Sequence, residues 1–408
     1  MLLALRGSAS AQPAPTPPVE PAAPAAPTPP APLVPDFLGA PGKGFSARLG
    51  DAFSINLRAR IQPRYQLHVS PEDSAGARSE DQLVAINTAR VWLSGHVYRP
   101  EVTWMLQLAL AGRDYRDGTV SPIFDAFIDW KGHRDASLRV GQFFVPFDRL
   151  RTVREFALQL VDRPRPINEL TLDRDVGVIV YSDALGAKTS PVAYRVGVFG
   201  GGGTNLVNPK RPGALLLARL ELRPLGKIDD DSEGDLARRA TPGLALGVGG
   251  AANRNTNRVR STTGPTLTRG TVDYWHAAVD ATFKWRGFAA QAEWVWREAR
   301  DEVVLDAGAA SEYARSGSGW IAQASYVFPR PFEIVGRISR MYAKQGTDPR
   351  FLSEVRALGQ ELAVGANYYL NGHALKLQAD WIVRTPRELS PSFASTDHTA
   401  QVQLDATF

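Results

Sequence analysis

The segment from Leu138 to Tyr181 concentrates the residues best suited to binding oxyanions. It joins two strand-like stretches through roughly two dozen residues that do not alternate, which is longer than an ordinary connection. Six arginines in this connection are accompanied by acids: Arg149, Arg151, Arg154, Arg163, Arg165 and Arg174 stand against Asp148, Glu155, Asp162, Glu169 and Asp173. A planar guanidinium group can hold an oxyanion through two parallel hydrogen bonds. We therefore expect a functional loop of basic character.

The whole chain favours arginine over lysine. Only eight of its 47 basic residues are lysine, and the formal net charge of the 408 residues is +5. Two explanations stay open at this point. One is codon usage in a GC-rich genome, which raises alanine and arginine together. The other is selection for bidentate oxyanion binding, in which arginine is superior to lysine.

The sequence carries no recognisable catalytic motif. The absence of cysteine excludes disulfides, thiolate metal sites and a cysteine nucleophile. The six histidines do not form an H-E-x-x-H motif, and neither a G-x-S-x-G motif nor a P-loop occurs. Asp229–Asp231 lacks the remaining ligand positions of a calcium loop. We therefore expect no enzymatic activity, no cofactor and no metal site, and we expect no nucleic-acid partner.

The elements that position the basic loop are predicted by an alternation that continues to the last residue, Phe408. In the first run, Phe53 to Val69, apolar residues occupy the odd positions and polar or basic residues the even ones. Such a period of two is typical of strands with one apolar face, and Pro63 on that face predicts a bulge. The pattern recurs in about sixteen runs, an even number as bacterial single-chain barrels require. It predicts an all-β fold, a transmembrane antiparallel β-barrel of about 16 strands. No apolar run approaches the ~18 residues of a membrane helix.

The connections between the runs alternate in length, which is the arrangement of outer-membrane barrels. Short turns fall near Pro100, His133, Gly287, Arg330 and Asn371-Gly372. The basic connection, Asp148–Arg174, is the third long loop, and we expect it to fold inward and narrow the pore. Pro224–Pro242 is an exception, because it is long where a short turn is expected.

Thirteen basic residues are predicted to line the pore and bind anions. They lie on the polar faces of the runs or in the third long loop: Arg58, Arg60, Arg64, Arg90, Lys131, Arg139, Arg151, Arg154, Arg163, Arg165, Arg174, Arg195 and Arg219. Rings of arginine or lysine are a means by which pores select anions and phosphate. The alternative is that these residues form ion-pair networks that brace the barrel wall without selecting ions.

The first 44 residues differ in composition from the rest of the chain. Residues 1–11 end in Ala9-Ser10-Ala11, which fits a signal-peptidase site, so we interpret them as the remnant of a signal peptide. A disordered end is the alternative. Residues 12–44 are rich in proline and alanine and are predicted to form a disordered linker. The barrel is then expected over residues 45–408.

Several motifs support a family resemblance. They are Asn87-Thr-Ala-Arg-Val-Trp-Leu-Ser-Gly-His-Val, Asp125-Ala-Phe-Ile-Asp-Trp, Leu138-Arg-Val-Gly-Gln-Phe-Phe-Val-Pro-Phe, Arg174-Asp-Val-Gly-Val and Tyr194-Arg-Val-Gly-Val-Phe-Gly-Gly-Gly. This set resembles the phosphate-selective porin O and P family, and the run R-x-G-Q-F-x-x-P-F before a basic loop is its most specific part. The resemblance implies a sixteen-stranded trimeric porin with an Arg/Lys-lined channel, constricted by its third external loop. The chain departs from the family in having few lysines and in mixing acids into that loop.

The resulting hypothesis is a porin in the outer membrane of a Gram-negative bacterium, through which small inorganic anions diffuse passively. Phosphate and polyphosphate are the candidate substrates. The alternatives are a general or sugar-type porin without phosphate selectivity, and a structural or adhesion barrel with a closed lumen. The expected partners are outer-membrane lipid, further copies of the chain in a homotrimer, and the barrel-assembly machinery, which would recognise the strand that ends at Phe408.

Overall fold

The computed structural model describes residues 36–73, 75–114, 121–205, 213–305, 311–386 and 395–408. Its strands, in chain order, are β1 (Asp36–Ala40), β2 (Gly44–Leu49), β3 (Phe53–Val69), β4 (Glu80–Val97), β5 (Arg99–Ala109), β6 (Ile123–Trp130), β7 (Ser137–Phe144), β8 (Arg174–Ser182), β9 (Val192–Phe199), β10 (Ala214–Leu222), β11 (Gly243–Thr256), β12 (Arg258–Arg260), β13 (Thr263–Thr266), β14 (Val272–Trp285), β15 (Phe288–Ala299), β16 (Val303–Leu305), β17 (Glu312–Tyr313), β18 (Gly317–Val327), β19 (Phe332–Ala343), β20 (Gln360–Asn371), β21 (Leu375–Thr385) and β22 (Asp397–Thr407). The helices are α1 (Arg149–Thr152), α2 (Arg165–Leu170) and α3 (Pro349–Leu358), with short 3-10 turns at Gly112–Asp114 and Glu155–Ala157.

A closed antiparallel barrel contains sixteen of these strands, β3–β11, β14, β15 and β18–β22. Each strand pairs with the next one along the chain. The barrel closes where β22 pairs with β3, from His398 opposite Val69 to Thr407 opposite Arg60. The predicted fold class and strand number are therefore confirmed. The bulge predicted at Pro63 is present as a register shift between Gln62 and Pro63 in the β3–β4 pair.

The barrel wall has its apolar residues outside and its polar residues inside. On β14, for example, Val279 is 52% exposed whereas its neighbour Asp280 is 3% exposed. The same inversion recurs on β10, where Leu220 is exposed and Arg219 and Glu221 are buried. Because apolar side chains cover the outside, the wall suits contact with lipid. None of the helices in the described part of the chain has the length and apolar character needed to cross a membrane.

A short N-terminal hairpin precedes the barrel. β2 pairs with the first residues of β3, from Phe45 opposite Leu57 to Leu49 opposite Phe53, beyond the stretch that β22 covers. β1 pairs with β2 in turn, so residues 36–40 form a strand within the range 12–44 that the sequence predicts as linker. Pairing with β2 supplies partners for the backbone groups of this segment. Residues 1–11 and the rest of the predicted linker up to residue 35 lie outside the described residues.

Candidate functional site

The connection between β7 and β8, residues 145–173, is the third long connection along the barrel, and we call it the third loop. Its position depends on the close pairing of β7 with β6. Gly141 on β7 has a φ of 134°, and a Cβ there would lie 2.1 Å from the carbonyl oxygen of Ala126. Glycine is the residue that tolerates both the positive φ and this approach. The glycine of the R-x-G-Q-F motif thus keeps β7 against β6 just before the chain enters the third loop.

One side of the third loop is apolar and packs against the barrel. Its buried side chains Phe147, Leu150, Ile167, Leu170 and Leu172 belong to a hydrophobic cluster. The cluster also contains strand residues that point away from the outer wall: Leu215, Leu217, Val295 and Ile321. Each fully buried leucine or isoleucine of this kind stabilises the packing by about 1.5–3 kcal/mol. The third loop therefore has a core of its own and adopts a defined position.

Hydrogen bonds fix the middle of the third loop, and Gln159 lies at their centre. Its side chain is 2% exposed, and its Nε2 donates to Ser325 and to Glu333, the latter at 2.5 Å. Its Oε1 accepts from Gln323 at 2.7 Å, and its backbone oxygen accepts from Asn367 at 2.8 Å. Strands β18, β19 and β20 are thereby joined to a single loop residue.

Further bonds reach the remaining sides of the barrel. Lys376 on β21 donates to the backbone oxygens of Phe156 and Leu158, both at 2.8 Å.

The backbone N–H groups of the third loop donate to wall carboxylates as well. Val161 donates to Asp380 at 2.8 Å, and Leu150 donates to Glu293 at 3.0 Å. Arg149 donates to Asp280 on β14 at 2.7 Å, and Arg154 donates to Asp125 on β6 at 2.8 Å. All these partners lie on strand faces opposite the apolar outer wall.

A polar pocket of about 420 Å³ lies between the third loop and the barrel wall, and we call it the arginine pocket. Eight arginines of the described residues line it: Arg64, Arg90, Arg113, Arg151, Arg163, Arg174, Arg258 and Arg260. Four carboxylates line it too: Asp114, Glu155, Asp162 and Asp173. Among the described residues, the lining therefore has a formal excess of four positive charges. Such an excess in a recessed site attracts anions.

Each of the four carboxylates described in the pocket lies beside an arginine. Asp162 accepts from Arg64, Asp173 from Arg151, and Asp114 from Arg90, which also lies 3.9 Å from Glu155.

Burial of the loop carboxylates would raise their pKa, but the arginines outweigh it. Arg90 and Arg163 lower the pKa of Glu155 to about 2, and Arg151 and Arg174 lower that of Asp173 to about 2. These two groups stay ionised at any ordinary pH, so they reduce the positive charge of the pocket permanently.

Two pocket arginines make no direct hydrogen bond or ion pair with a carboxylate in the part of the chain that the structure describes. Arg163 donates to the backbone oxygens of Leu150 and Val153. Burial is the main reason that its pKa falls to about 10, with the charge of Arg151 adding to it, so it remains a cation at neutral pH. Arg113 donates to the side-chain oxygen of Asn87 at 2.7 Å. An entering anion could bind these cations without displacing a protein carboxylate.

Five of the thirteen residues predicted from the sequence line the arginine pocket: Arg64, Arg90, Arg151, Arg163 and Arg174. Five others pair with wall carboxylates outside it: Arg60 with Asp405, Arg139 with Asp129, Arg154 with Asp125, Arg195 with Glu221, and Arg219 with Asp280. These ion pairs match the alternative that the arginines brace the wall. Arg154 and Arg139 are nevertheless one third and one quarter exposed on their side chains, so solvent ions can reach them.

The remaining three predicted residues lie apart from the pocket. Arg165 donates to the backbone oxygen of Leu358 at 2.6 Å, and Arg58 donates to that of Lys43 at 3.0 Å. Lys131 is exposed in the turn that follows β6.

Three pocket arginines, Arg113, Arg258 and Arg260, were not predicted from the sequence. Arg113 lies in the second long connection, and Arg258 and Arg260 lie in the fifth. The alternation along the strands does not show which way a side chain in such a connection points. The signal that could have revealed them is the presence of arginine in other long loops at the same end of the barrel as the third. No three His, Asp or Glu side chains among the described residues are grouped in a way that could hold a metal ion.

A closed barrel of sixteen strands, apolar outside and charged inside, defines the class of outer-membrane porins. The sequence matches the family described as phosphate-selective porin O and P over residues 55–408, and the chain belongs to this family. The family and the apolar outer wall locate the protein in the outer membrane, as the sequence predicts. They also indicate a channel rather than an enzyme.

Solved structures share the fold at low sequence identity. An anion-selective porin from Comamonas acidovorans superposes with a TM-score of 0.53 at 10% identity, covering 87% of this chain and 100% of that one. The outer-membrane channel DcaP of Acinetobacter baumannii gives 0.51 at 12% identity, covering 88% and 98%. OmpF of Salmonella typhi gives 0.56 at 14% identity, also covering 88% and 98%. The comparison with curated proteins gave no match.

Proposed function

We propose that this porin prefers anions and that small oxyanions, phosphate among them, bind in the arginine pocket on their way through the barrel. The observation that carries the proposal is the excess of four positive charges among the residues lining the pocket. Arginine suits this role because its fork of donors matches an oxyanion and its charge persists at every working pH. The carboxylates held beside the arginines moderate the field, which favours a general oxyanion preference over strict phosphate selectivity.

The third loop is, in this proposal, the constriction of the pore. Its hydrogen-bond partners are on strands distributed around the barrel, including β6, β14, β18 and β21. All of them lie on faces directed away from lipid. A loop that is hydrogen-bonded to strands all around the barrel leaves only a narrow passage. Glu155 and Arg163 would contribute to the lining of this passage. The arginine pocket then lies at the external side of the constriction.

We further propose that the protein is a homotrimer. Support comes from the family resemblance and from OmpT of Vibrio cholerae, one structure of which is described as a trimer form and shares this fold at 10% identity. We also propose that the barrel-assembly machinery recognises β22, the strand that pairs with β3 to close the barrel. Phe408 is exposed, and its backbone is hydrogen-bonded in both directions to Ala59 at the end of the β3–β22 pair.

Phosphate inhibition of chloride current in planar bilayers tests the oxyanion site. We expect phosphate added on the external side to reduce the chloride current through purified trimers, because it would occupy the arginine pocket. A sugar at the same concentration should leave the current unchanged. Unchanged current with phosphate, together with reduced current with sugar, would favour the sugar-type alternative instead.

A further inference from the structure

The turn between β10 and β11, residues 223–242, is unusually long for its end of the barrel, and we call it the inner turn. Other connections at that end are short, such as residues 286–287 between β14 and β15 and residues 328–331 between β18 and β19. The middle of the inner turn is buried although it is polar. Ser232, Glu233 and Asp235 are 7%, 3% and 3% exposed. Buried polar groups of this kind require specific partners.

The barrel wall supplies the first set of partners. Lys284 on β14 donates through Nζ to the backbone oxygens of Asp229 and Ser232, at 2.6 and 2.7 Å. Gln291 on β15 donates to the backbone oxygen of Glu233 at 2.8 Å. Lys284 and Gln291 are both buried on faces opposite the apolar outer wall. The inner turn therefore lies against the luminal faces of these strands rather than below the barrel.

The third loop supplies the second set of partners. The backbone N–H of Glu233 donates to the oxygen of Ala157 at 3.2 Å, and the N–H of Gln159 donates to the Glu233 carboxylate at 2.7 Å. Arg149 donates to Asp230 at 2.7 Å, which links the beginning of the third loop to the same turn.

The packing between these two segments is tight at Gly234. A Cβ at that position would lie 2.7 Å from Glu333 Oε1 and 3.0 Å from Gln159 Nε2. Two segments that enter from opposite ends of the barrel thus meet in a direct contact.

We propose that the inner turn is a second constriction element, which fills part of the lumen from the short-turn end and holds the third loop in place through Glu233 and Asp230. This inference rests on the proposed channel function. Glu233 is a positioning residue, because it affects the pore indirectly by holding residues 157–159 of the third loop in place. Asp229 and Asp231 are the exposed residues of the Asp229–Asp231 run, and Asp231 would line the passage. The acids of this run would then take part in ion selection, with Asp230 held by Arg149 and Arg223.

The direct test is to replace residues 227–239 with a short Asn-Gly turn and to measure single-channel conductance. A sixteen-stranded barrel without plugs encloses an aqueous channel, so we expect conductance to rise by about twofold or more. The matched control shortens the exposed turn between β8 and β9 by removing residues 185–189, which should leave conductance unchanged. Heat-modifiable migration on gels shows whether each variant has folded.

The outcomes separate this inference from the proposed function. A conducting, anion-preferring wild type whose conductance is unaffected by the replacement would overturn the inference alone. A wild type that does not conduct would refute the channel proposal itself.

A cysteine pair provides a second test that does not depend on deletion. The chain contains no cysteine, so Ala157→Cys with Glu233→Cys would report only on their own contact. We expect the pair to cross-link on oxidation in the folded trimer and to hold the channel at low conductance until it is reduced. Failure to cross-link in a folded variant would contradict the contact on which the inference is built.

Discussion

Arg64 on β3 donates through Nη1 to both carboxylate oxygens of Asp162 in the third loop, each at 3.1 Å. This pair joins the barrel wall to the third loop, although the two residues are 98 positions apart in the chain. Both residues line the arginine pocket. The positive charge of Arg64 thus favours anions in the pocket, while the negative charge of Asp162 reduces that preference.

Asp162→Asn should increase the preference for anions. The change removes one negative charge from the pocket while the amide can still accept from Arg64. At about 8 Å and an effective dielectric constant of about 20, one charge changes the energy of a monovalent ion by about 2 kcal/mol before screening by salt. We expect a severalfold higher anion-to-cation permeability ratio from reversal potentials. Asp301→Asn, an exposed control, should change nothing, and an equal effect of both variants would speak against the pocket.

Arg151→Glu together with Arg154→Glu should strongly reduce or reverse anion preference. Arg151 lines the arginine pocket, and the side chain of Arg154, in the same loop, is about one third exposed. Each reversal changes the local charge by two units. The control is Arg286→Glu with Arg300→Glu, which makes the same charge change at exposed positions. If the control pair altered the reversal potential as much, the effect would come from net charge rather than from the constriction.

Gln159→Ala should loosen the third loop. The substitution leaves the buried Glu333 and Ser325 without one of their partners, which costs about 1–3 kcal/mol for each unsatisfied group. We expect faster tryptic cleavage after Arg151 and Arg154 of the third loop and noisier single-channel current. Gln82→Ala, at an exposed position on β4, is the control. Wild-type cleavage rates in the Gln159 variant would show that the loop does not depend on this residue.

Mild acid should increase anion preference through the inner turn. Partial desolvation, and then the neighbouring Asp230 and Asp229, raise the pKa of Asp231, so this carboxylate gains a proton at a higher pH than an ordinary aspartate. Protonation removes a negative charge opposite Arg154 and Arg195. The permeability ratio for anions should therefore rise on acidification, beginning at a higher pH than an ordinary aspartate would give. Glu155 and Asp173, with pKa values of about 2, stay charged in mild acid. The rise should be smaller in Asp231→Asn, and an identical pH profile in that variant would exclude Asp231 as its source.

The strand pattern was predictable because a lipid-facing wall imposes a strict period of two. Pro63 even revealed the position of a bulge, since proline cannot contribute a backbone donor to the ladder. The same rule fails where a strand ends. Lys131 has the phase of the residues that face the lumen, but β6 ends at Trp130 and Lys131 lies in the following turn. β1 was missed because its pairing partner, β2, lies outside the alternating pattern that begins at Phe53.

The inner surface was harder to predict than the outer wall. At Leu215-Leu216-Leu217 the alternation is broken by three consecutive leucines, of which the outer two pack against the third loop and only Leu216 faces outward. That break was a usable signal of an apolar partner inside the barrel. The contact between Glu233 and Gln159 had no such signal. It joins residues from two irregular segments. Neither segment has a periodic pattern that shows which way its side chains point.

The reversal potential of the purified protein in a planar bilayer under a potassium chloride gradient tests the central claim most directly. The excess positive charge of the arginine pocket predicts a potential of the sign given by chloride permeating faster than potassium. A potential of the opposite sign, at neutral pH and moderate salt, would contradict the account.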